Sequence, residues 1–280
     1  MPERLAPAVY RDIVRRAIEE DVGSGDLTTQ TVVPVHAAAT ATLVAKSTAV
    51  VAGLDLVREV FEQVDATLQF QASKADGALC HPGEALARIE GSAASILTAE
   101  RTALNFVQHL SGIATLARRF VDAAGGRLTV KDTRKTIPTL RALAKYAVRC
   151  GGAANHRMGL NDGILIKDNH IRAAGGIVEA VRRVRAASSP LSIEVEAQSL
   201  REVDDALAAR ADVIMLDNLD DETMREAIRR IAGRAQIEIS GVVTLDRIPV
   251  LATMGADWVS VGALTHSAPA ADFSLDIEIR

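Results

Sequence analysis

Aromatic side chains are scarce in this sequence. Phe, Trp and Tyr make up 3% of the 280 residues, although 48% of the residues are apolar. The core must therefore be built mainly from Ala, Val, Leu and Ile, and the chain is long enough for one or two domains. Cysteine is scarce as well. Cys80 and Cys150 form no metal-binding pattern, and two thiols in a chain of this length predict reduced cysteines in a reducing compartment.

Strong net charge and long apolar runs are also missing. The formal net charge is −4 and the sequence pI is near 5.9, so the chain has no general attraction for nucleic acid or for an anionic membrane. The first residues lack the apolar core of a signal peptide, and no apolar run reaches the ~20 residues of a membrane span. We therefore expect a soluble, cytoplasmic protein with no nucleic-acid or membrane partner.

The first hundred residues have an α+β pattern. Residues 9–18 place apolar side chains on one helical face, and Gly23 is positioned to end that helix. The alternation over 39–53 is rich in β-branched residues and predicts a pair of strands. Three further elements are predicted: a helix over 54–64, a turn and a strand over 80–91, and a long helix over 92–112 that breaks at Gly112.

After residue 126 the pattern changes to short apolar runs that alternate with helical stretches, as βαβ units do. Several of the helical stretches begin at Ser, Thr or Asp, which is a capping signal. We expect a strand in each of six runs, over 127–136, 163–170, 191–199, 212–220, 236–244 and 257–266.

The ends of these runs carry polar and small residues. The run "ILIKDNH", for example, passes from three aliphatic residues directly into Lys, Asp, Asn and His. Because the carboxyl ends of parallel strands meet at one edge, we expect the six ends to form one rim, in either an α/β barrel or an open doubly wound sheet. The residues at these ends are Lys131, Asp132, Arg134, Lys135, Lys167, Asp168, Asn169, His170, Glu194, Glu196, Asp217, Asn218, Ser240, Gly241 and Gly262.

The rim has a cationic part from the earlier strands and an acidic part from the later ones. Arg pairs with carboxylate or phosphate through a planar fork, and Lys adds a point charge. Carboxylates suit sugar hydroxyls or Mg²⁺, and Ser-Gly or Gly-Ala turns leave backbone N–H groups free for a phosphate. The pattern therefore predicts a site for a multiply charged carboxylate and a phosphorylated sugar, formed by Arg134, Lys135, His156, Arg157, Lys167, Glu196 and Asp217.

Each of these features also has a structural explanation. The charges at 131–134 suit a local ion-pair network, and Asp168 suits a helix cap, the role that we favour for it. His170 and His266 are more often hydrogen-bonded packing residues than catalysts. The coincidence of six polar strand ends is what supports a functional site.

The block at 131–170, KDTRKTIPTLRALAKYAVRCGGAANHRMGLNDGILIKDNH, closely resembles the quinolinate phosphoribosyltransferase family. Its succession of TRKT, GG, NHR and KDNH is highly specific. The resemblance covers nearly the whole chain, because it extends to the segments 20–29, 99–115, 193–207, 213–218 and 255–277.

The resemblance implies a fold of two domains. An N-terminal α/β (α+β) open-faced sandwich domain would span 1–112. An incomplete α/β barrel of about six or seven parallel strands would span 113–269. The C-terminal tail, 270–280, would return to the first domain.

The resemblance also implies a reaction. Quinolinate and 5-phosphoribosyl-1-pyrophosphate (PRPP) would give nicotinate mononucleotide, pyrophosphate and CO₂, a step of NAD biosynthesis, with Mg²⁺ bound alongside PRPP. Family members are homodimers, and Arg101 matches the arginine that completes the partner's site.

The family's functional residues map onto this sequence motif by motif. Those that bind quinolinate correspond to Arg101, Thr133, Arg134, Lys135, His156, Arg157 and Lys167. Those that bind PRPP correspond to Glu196, Asp217, Ser240, Gly241, Val242, Val261, Gly262 and Ala263. Lys135, Glu196 and Asp217 would be catalytic, and Mg²⁺ would come with PRPP, near Glu196 and Asp217, without a direct protein ligand. Val242 departs from the Ser-Gly-Gly common in the family, but its backbone N–H donor is retained.

Three other functions stay open. The chain could act on another pyridine carboxylate, although so many cations favour a diacid. It could be a non-catalytic phosphate-sugar-binding barrel, but such a binder gains nothing from carboxylates that face a pyrophosphate unless a metal lies between them. A Schiff-base, aldolase-type barrel is the third alternative, and borohydride trapping would reveal it.

Overall fold

The computed structural model describes residues 3–280, which fall into two compact units. The first unit contains the chain up to Arg118 together with Ile137–Gly152 and Ser267–Arg280. The second contains Arg119–Thr136 and Ala153–His266. This division places 137–152 in the first unit, whereas the predicted domains, 1–112 and 113–269, place that segment in the second.

The first unit is built on a four-stranded antiparallel sheet. Its strand β1 (Ala38–Ala45) lies between the C-terminal strand β12 (Phe273–Ile279) and β5 (Ala85–Ser92), and β3 (Gln69–Ala72) pairs with β5. The C-terminal strand is thus part of the N-terminal sheet. The other elements of this unit are α1 (Pro7–Val22), α2 (Leu27–Val32), β2 (Ala49–Val50), α3 (Leu54–Val64), β4 (Leu79–Cys80), α4 (Ala93–Ala124, which continues into the second unit) and α5 (Arg141–Cys150).

Two predictions for this unit were wrong. The strands expected over 39–53 exist but do not pair with each other, because β1 is already paired on both sides and the two-residue β2 pairs with β4. The helix α4 does not break at Gly112. A Cβ on Gly112 would lie 2.1 Å from the carbonyl oxygen of Pro269, so the glycine permits a close approach of two backbones instead of ending a helix.

The second unit contains a six-stranded sheet in the order β6-β11-β10-β9-β8-β7, and all its neighbouring strands are parallel. All six strands predicted from the apolar runs are confirmed, as is the incomplete α/β barrel. The strands are β6 (Thr129–Lys131), β7 (Ile164–Ile166), β8 (Ile193–Ala197), β9 (Val213–Asp217), β10 (Gln236–Ser240) and β11 (Trp258–Ser260), and the helices are α6 (Asp168–Ala174), α7 (Ile177–Ala186), α8 (Leu200–Ala208), α9 (Asp221–Ile231), α10 (Ile248–Leu251) and α11 (Ala263–His266).

The sheet order leaves β6 with a free edge, and the segment 153–155 lies along it. Asp132 N–H donates to Ala154 O at 3.1 Å, and Ala154 N–H donates to Val130 O at 2.8 Å. Ala154 therefore forms an isolated parallel bridge with Lys131. This bridge brings the following residues, His156 and Arg157, to the carboxyl end of β6.

Local signals explain several helix starts. Ser199 caps α8 by accepting a hydrogen bond from Glu202 N–H, and Asp220 caps α9 in the same way through Thr223 N–H. Asp168 is not a cap, contrary to the prediction: it is the first residue of α6, and its carboxylate pairs with Arg172 at 3.2 Å one turn later.

The core has the composition that the sequence predicts. The largest fully buried side chains include Phe61 but are mostly Leu and Ile, and both cysteines are buried and free. Within residues 3–280, no helix is both long and apolar enough to cross a bilayer.

Candidate active site

A cavity of about 600 Å³ opens at the carboxyl ends of the parallel strands. All of its lining residues belong to the second unit, and most were predicted from the strand ends. They are Thr133, Arg134, Lys135, His156, Arg157, Leu165, Lys167, Glu196, Met215, Asp217, Asn218, Ser240, Gly241, Val242 and Ser260. This is the edge at which α/β barrels carry their chemistry.

A larger cavity, of about 1230 Å³, lies at the amino ends of the strands. Its polar groups are tied to the backbone: Asp212 and Asp257 accept hydrogen bonds from Ile193 N–H and Ile237 N–H, where strands β8 and β10 begin. Its residues therefore stabilise the sheet, and size alone does not mark the functional cavity.

The cationic side of the pocket is formed by Arg134, Lys135, Arg157 and Lys167. Thr133 Oγ1 accepts from Lys135 N–H at 3.0 Å, so the threonine shapes the turn that carries the lysine. Arg157 Nη1 donates to Gly163 O at 3.1 Å. Burial, followed by the adjacent Arg134, lowers the pKa of Arg157, as expected where like charges converge.

A buried aspartate holds the loop that carries His156 and Arg157. Asp132 is fully buried, and its two oxygens accept from His156 N–H at 2.8 Å and from Asn155 Nδ2 at 2.7 Å. Its role is thus to shape the loop. Lys131, one of the charges in the predicted ion-pair network at 131–134, pairs outside that segment, with Glu238 at 3.2 Å.

His156 belongs to a second buried network beneath the pocket. Its Nε2 lies 3.1 Å from Glu194 Oε2 and 3.4 Å from Glu238 Oε1, and Ser260 Oγ donates to Glu238. Burial lowers the pKa of His156, but the hydrogen bonds to Glu194 and Glu238 outweigh it and raise the pKa to about 9. The Arg157 amide, which donates to Nδ1 at 2.8 Å, opposes protonation at that nitrogen.

The ligand atoms of His156, Glu194 and Glu238 lie within 4.8 Å of one another, a spacing that a metal ion could bridge. The hydrogen bonds argue against such a site. In the neutral ring Nδ1 accepts from Arg157 N–H and the proton is on Nε2, the atom that would have to face the ion, whereas a metal-bound histidine normally donates from its other nitrogen. In the protonated ring neither nitrogen is free to bind a metal.

The acidic side of the pocket is a chain of hydrogen bonds along the rim. Lys167 Nζ lies 2.5 Å from Glu196 Oε2. The amide of Gln198 reaches both acids, at 3.4 Å from Glu196 Oε1 and 3.3 Å from Asp217 Oδ2, and Asn218 Nδ2 donates to Asp217 Oδ2 at 2.8 Å. Glu196 is buried, and Asp217 is partly exposed.

Sequence reasoning did not identify every member of these networks. Gln198 was missed, and Asn218 was noted only as a strand-end residue. Asn218 adopts φ 56°, a left-handed conformation that Asn tolerates better than most residues, so an Asn directly after a strand-end acid was an available signal. Glu238 was missed as well, although a carboxylate inside the apolar run 236–240 indicates a buried partner.

The turn after β10 offers free backbone donors. Gly241 and Val242 adopt φ values of 89° and 33°, and the N–H groups of 241–243 have no acceptor among the described residues. Successive free N–H groups in such a turn form an anion-binding concavity. A Cβ on Gly241 would lie 2.2 Å from Asn218 Oδ1, so this position requires glycine.

Four predicted site residues are not part of the pocket lining: Arg101, Val261, Gly262 and Ala263. Gly262 lies beside it, because a Cβ there would be 3.0 Å from Lys135 Cδ, and Thr265 Oγ1 donates to Lys135 O at 2.8 Å. Val261 N–H donates to Lys131 O. Arg101 lies on α4 with an exposed side chain.

The acidic side fits a hard cation such as Mg²⁺. Asp217 accepts both of its hydrogen bonds at Oδ2, and its Oδ1 has no partner in the part of the chain that the structure describes. Mg²⁺ prefers oxygen ligands and keeps several of its waters. Asp217 and Glu196 are therefore the residues that would hold it, directly or through water.

Two family models match the chain. Residues 113–276 match the C-terminal domain of quinolinate phosphoribosyl transferase, and residues 26–111 match its N-terminal domain.

Curated relatives and solved structures agree with these matches. A probable nicotinate-nucleotide pyrophosphorylase [carboxylating] of Bacillus subtilis is 43% identical over 93% of this chain and 90% of the relative. The nicotinate-nucleotide pyrophosphorylase [carboxylating] of Mycobacterium leprae is 43% identical over 95% of this chain and 96% of its own. The crystal structure of NadC from Streptococcus pyogenes superposes with a TM-score of 0.95 at 43% identity and covers 99% of both chains. This chain therefore belongs to the quinolinate phosphoribosyl transferase family.

Proposed function

We propose that the protein transfers the phosphoribosyl group of PRPP to quinolinate with decarboxylation, which gives nicotinate mononucleotide, pyrophosphate and CO₂ for NAD biosynthesis. One observation carries the proposal: a single cavity brings four cations together with two carboxylates and a turn of free N–H groups. The names of the relatives specify the same chemistry.

The cations bind the two carboxylates of quinolinate. Arg134 and Arg157 supply planar forks for bidentate pairing, and Lys135 and Lys167 add point charges. Burial and then the nearby Arg134 lower the pKa of Arg157 from its ordinary value, and a bound dianion would offset the repulsion between the two guanidinium groups. His156, whose ring nitrogens both face protein partners, would contribute mainly by holding the loop.

Glu196 and Asp217 act on the sugar. Loss of pyrophosphate builds positive charge at the anomeric carbon, and fixed carboxylates nearby stabilise it. The same oxygens accept hydrogen bonds from ribose hydroxyls. The free N–H groups of 241–243 suit the phosphate oxygens of PRPP.

Decarboxylation follows attack by the pyridine nitrogen. The ring nitrogen is then cationic, so the electron pair left on the adjacent carbon when the C–C bond breaks and CO₂ departs is stabilised electrostatically, and a proton from solvent then forms the C–H bond of the product. Lys135 and Arg134 position the groups for this step. The residues act by orientation and preorganised charge, without a covalent intermediate.

Mg²⁺ accompanies PRPP in this proposal. When bound it would neutralise pyrophosphate charge as that group leaves, with Glu196 and Asp217 as the nearest oxygen donors.

We also infer a homodimer in which Arg101 reaches the partner's site, because the side chain of Arg101 is exposed and the segment 99–115 resembles the family segment that carries such an arginine. The test mixes Arg101→Ala with Arg157→Ala subunits at a low quinolinate concentration, at which each variant alone is first shown to have little activity. Recovery of partial activity, from mixed dimers with one intact site, is expected. If no activity returns, the two residues do not share a site across subunits.

The protein would act in the cytoplasm, where its two buried, free cysteines stay reduced.

The function is tested with purified protein, Mg²⁺ and PRPP, and with quinolinate or nicotinate as acceptor. Nicotinate mononucleotide and stoichiometric CO₂ are expected from quinolinate alone. Product from nicotinate, or none from quinolinate with folded protein, would contradict the proposal. Tight binding of PRPP without any turnover would favour the non-catalytic alternative.

A further inference from the structure

Lys167 and Glu196 belong to opposite sides of the pocket, yet they form one ion pair. Lys167 Nζ lies 2.5 Å from Glu196 Oε2. The glutamate side chain is 7% exposed and the lysine side chain is 45% exposed. The lysine can therefore move toward a ligand, whereas the acid has little freedom.

Under the proposed function these two residues serve different substrates. A carboxylate of quinolinate requires the Lys167 ammonium group, and the ribose hydroxyls require the Glu196 oxygens. A carboxylate that takes Nζ away leaves Glu196 Oε2 without its hydrogen-bond donor in a buried position, which is unfavourable. Ribose hydroxyls are donors that can fill this position.

The same argument holds when PRPP binds before the dicarboxylate. Ribose hydroxyls that bind Glu196 weaken its hold on Lys167 and leave the ammonium group available for a carboxylate. Each substrate thus removes an obstacle to the other, and coupling between two binding equilibria is reciprocal.

We propose that the Lys167–Glu196 ion pair couples the two substrate subsites, so that the dicarboxylate and PRPP each bind more tightly when the other is present. This inference rests on the proposed function. It gives Lys167 a second role, in addition to charge neutralisation. In the empty site Lys167 pairs with Glu196, and in the ternary complex Lys167 releases Glu196.

The neighbouring acid provides a matched control. Asp217 lies on the same side of the pocket, but its hydrogen bonds come from Gln198 and Asn218 and not from Lys167. Glu196→Gln and Asp217→Asn remove the same charge from the same side, so a general electrostatic effect on an incoming dianion is similar in both. Only the first variant removes the ion pair.

The experiment uses phthalate, a benzene dicarboxylate that lacks the ring nitrogen and cannot attack the sugar. Its affinity for the full-length protein is measured by calorimetry with Mg²⁺, with and without saturating PRPP. In the unaltered protein, PRPP is expected to tighten phthalate binding at least about fivefold, the lower end of typical coupling. PRPP binding should tighten by the same factor when phthalate is present.

The Glu196→Gln variant is expected to bind phthalate more tightly than the unaltered protein when PRPP is absent. With its lysine already released, it should bind phthalate without PRPP about as tightly as the unaltered protein does with PRPP, and PRPP should add nothing further. Asp217→Asn should bind phthalate alone less tightly than Glu196→Gln and should retain the coupling at higher PRPP concentration. Thermal unfolding of each variant verifies that it is folded.

The outcomes separate this inference from the function on which it rests. Binding of both ligands without mutual tightening overturns the coupling and leaves the proposed function intact. Failure of both ligands to bind overturns both. Coupling that persists in Glu196→Gln, or equal phthalate affinity in the two variants, removes the ion pair as its cause. Should Glu196→Gln not fold, the titrations of the unaltered protein still decide whether coupling exists.

Discussion

The cationic and acidic sides of the pocket are anchored in different ways. The loop with His156 and Arg157 is held from beneath by buried acids, namely Asp132, Glu194 and Glu238. Glu196 and Asp217, in contrast, lie at the ends of strands, and their contacts are with other rim side chains, which a ligand can displace. Substitutions of the buried acids beneath the cationic side should therefore disturb folding and binding together, whereas substitutions on the acidic side should change ligand binding and turnover without disturbing the fold.

The largest expected effect comes from removing the anchor of the cationic side. Asp132→Ala leaves the amide of His156 and the side chain of Asn155 without their buried acceptor. We expect a loss of about 3 kcal/mol in the free energy of unfolding, since each abandoned buried group costs on the order of 1–3 kcal/mol. Urea denaturation measures this. Asp168→Ala, which removes only a surface pair, serves as the control and should change stability by less than about 0.5 kcal/mol.

Removing a carboxylate from the acidic side of the pocket should leave the fold intact. Glu196→Ala is expected to lower kcat on the order of 100-fold, the scale of removing one preorganised electrostatic contact. Single-turnover measurements and a thermal melt of the same preparation provide the test. An unchanged rate would exclude Glu196 from the chemistry, and a large fall in melting temperature would contradict the contrast between the two sides.

A smaller change on the cationic side should act on one substrate. Arg157→Ala is expected to weaken quinolinate binding by about 2 kcal/mol, or roughly 30-fold, because it removes a charge-assisted contact. The KM for PRPP should change much less. Equal effects on both KM values would show a disturbed loop instead of a lost contact, and Arg157→Lys, which keeps the charge, should recover part of the affinity.

The network around His156 predicts a dependence of stability on pH. Glu194 and Glu238 raise the pKa of this histidine from 6.5 to about 9, although the Arg157 amide, which donates to Nδ1 at 2.8 Å, opposes the second ring proton. A raised pKa in the folded state stabilises the protein fully below the unfolded-state value, and this contribution is lost as the pH rises through about 9. Melting temperatures between about pH 6 and pH 10 should therefore fall more steeply in the unaltered protein than in His156→Gln. Parallel curves would show that the ring does not titrate in this range.

The smallest effect is expected at the turn that we propose binds phosphate. Val242 is 80% exposed and has φ 33°, a conformation that a β-branched residue adopts only under strain. Val242→Gly should raise stability by up to about 1 kcal/mol and keep PRPP binding, since the backbone donors are unchanged. Val243→Gly, at an ordinary conformation, should instead lower stability. A loss of stability in Val242→Gly would mean that the side chain makes a favourable contact.

The parallel unit was more predictable than the antiparallel one. Apolar runs with polar ends define β6–β11 because both sheet faces are buried and all the carboxyl ends share one edge. The β1–β2 pairing failed because β5 and the C-terminal β12 occupy both edges of β1 while β2 pairs with β4. The Gly112 break failed because its close neighbour, Pro269, is far away in sequence. Local patterns do not encode such contacts.

The candidate site showed the same limit. Most lining residues could be predicted from where strands end, but not the contacts that join them. Nothing in the spacing of Lys167 and Glu196 indicates that they pair, and Gln198 is an ordinary surface residue until Glu196 and Asp217 are placed on either side of it.

The bridge between Ala154 and Lys131 links the integrity of the site to the protein's solubility. A free edge of a parallel sheet presents unpaired N–H and C=O groups on which another chain can add a strand. In this protein the segment 153–155 shields the edge of β6, and the same segment leads into His156 and Arg157. A molecule in which this segment has detached from β6 would lose its substrate contacts and expose an unpaired strand edge at the same time. Inactive molecules would therefore also be the ones prone to aggregate.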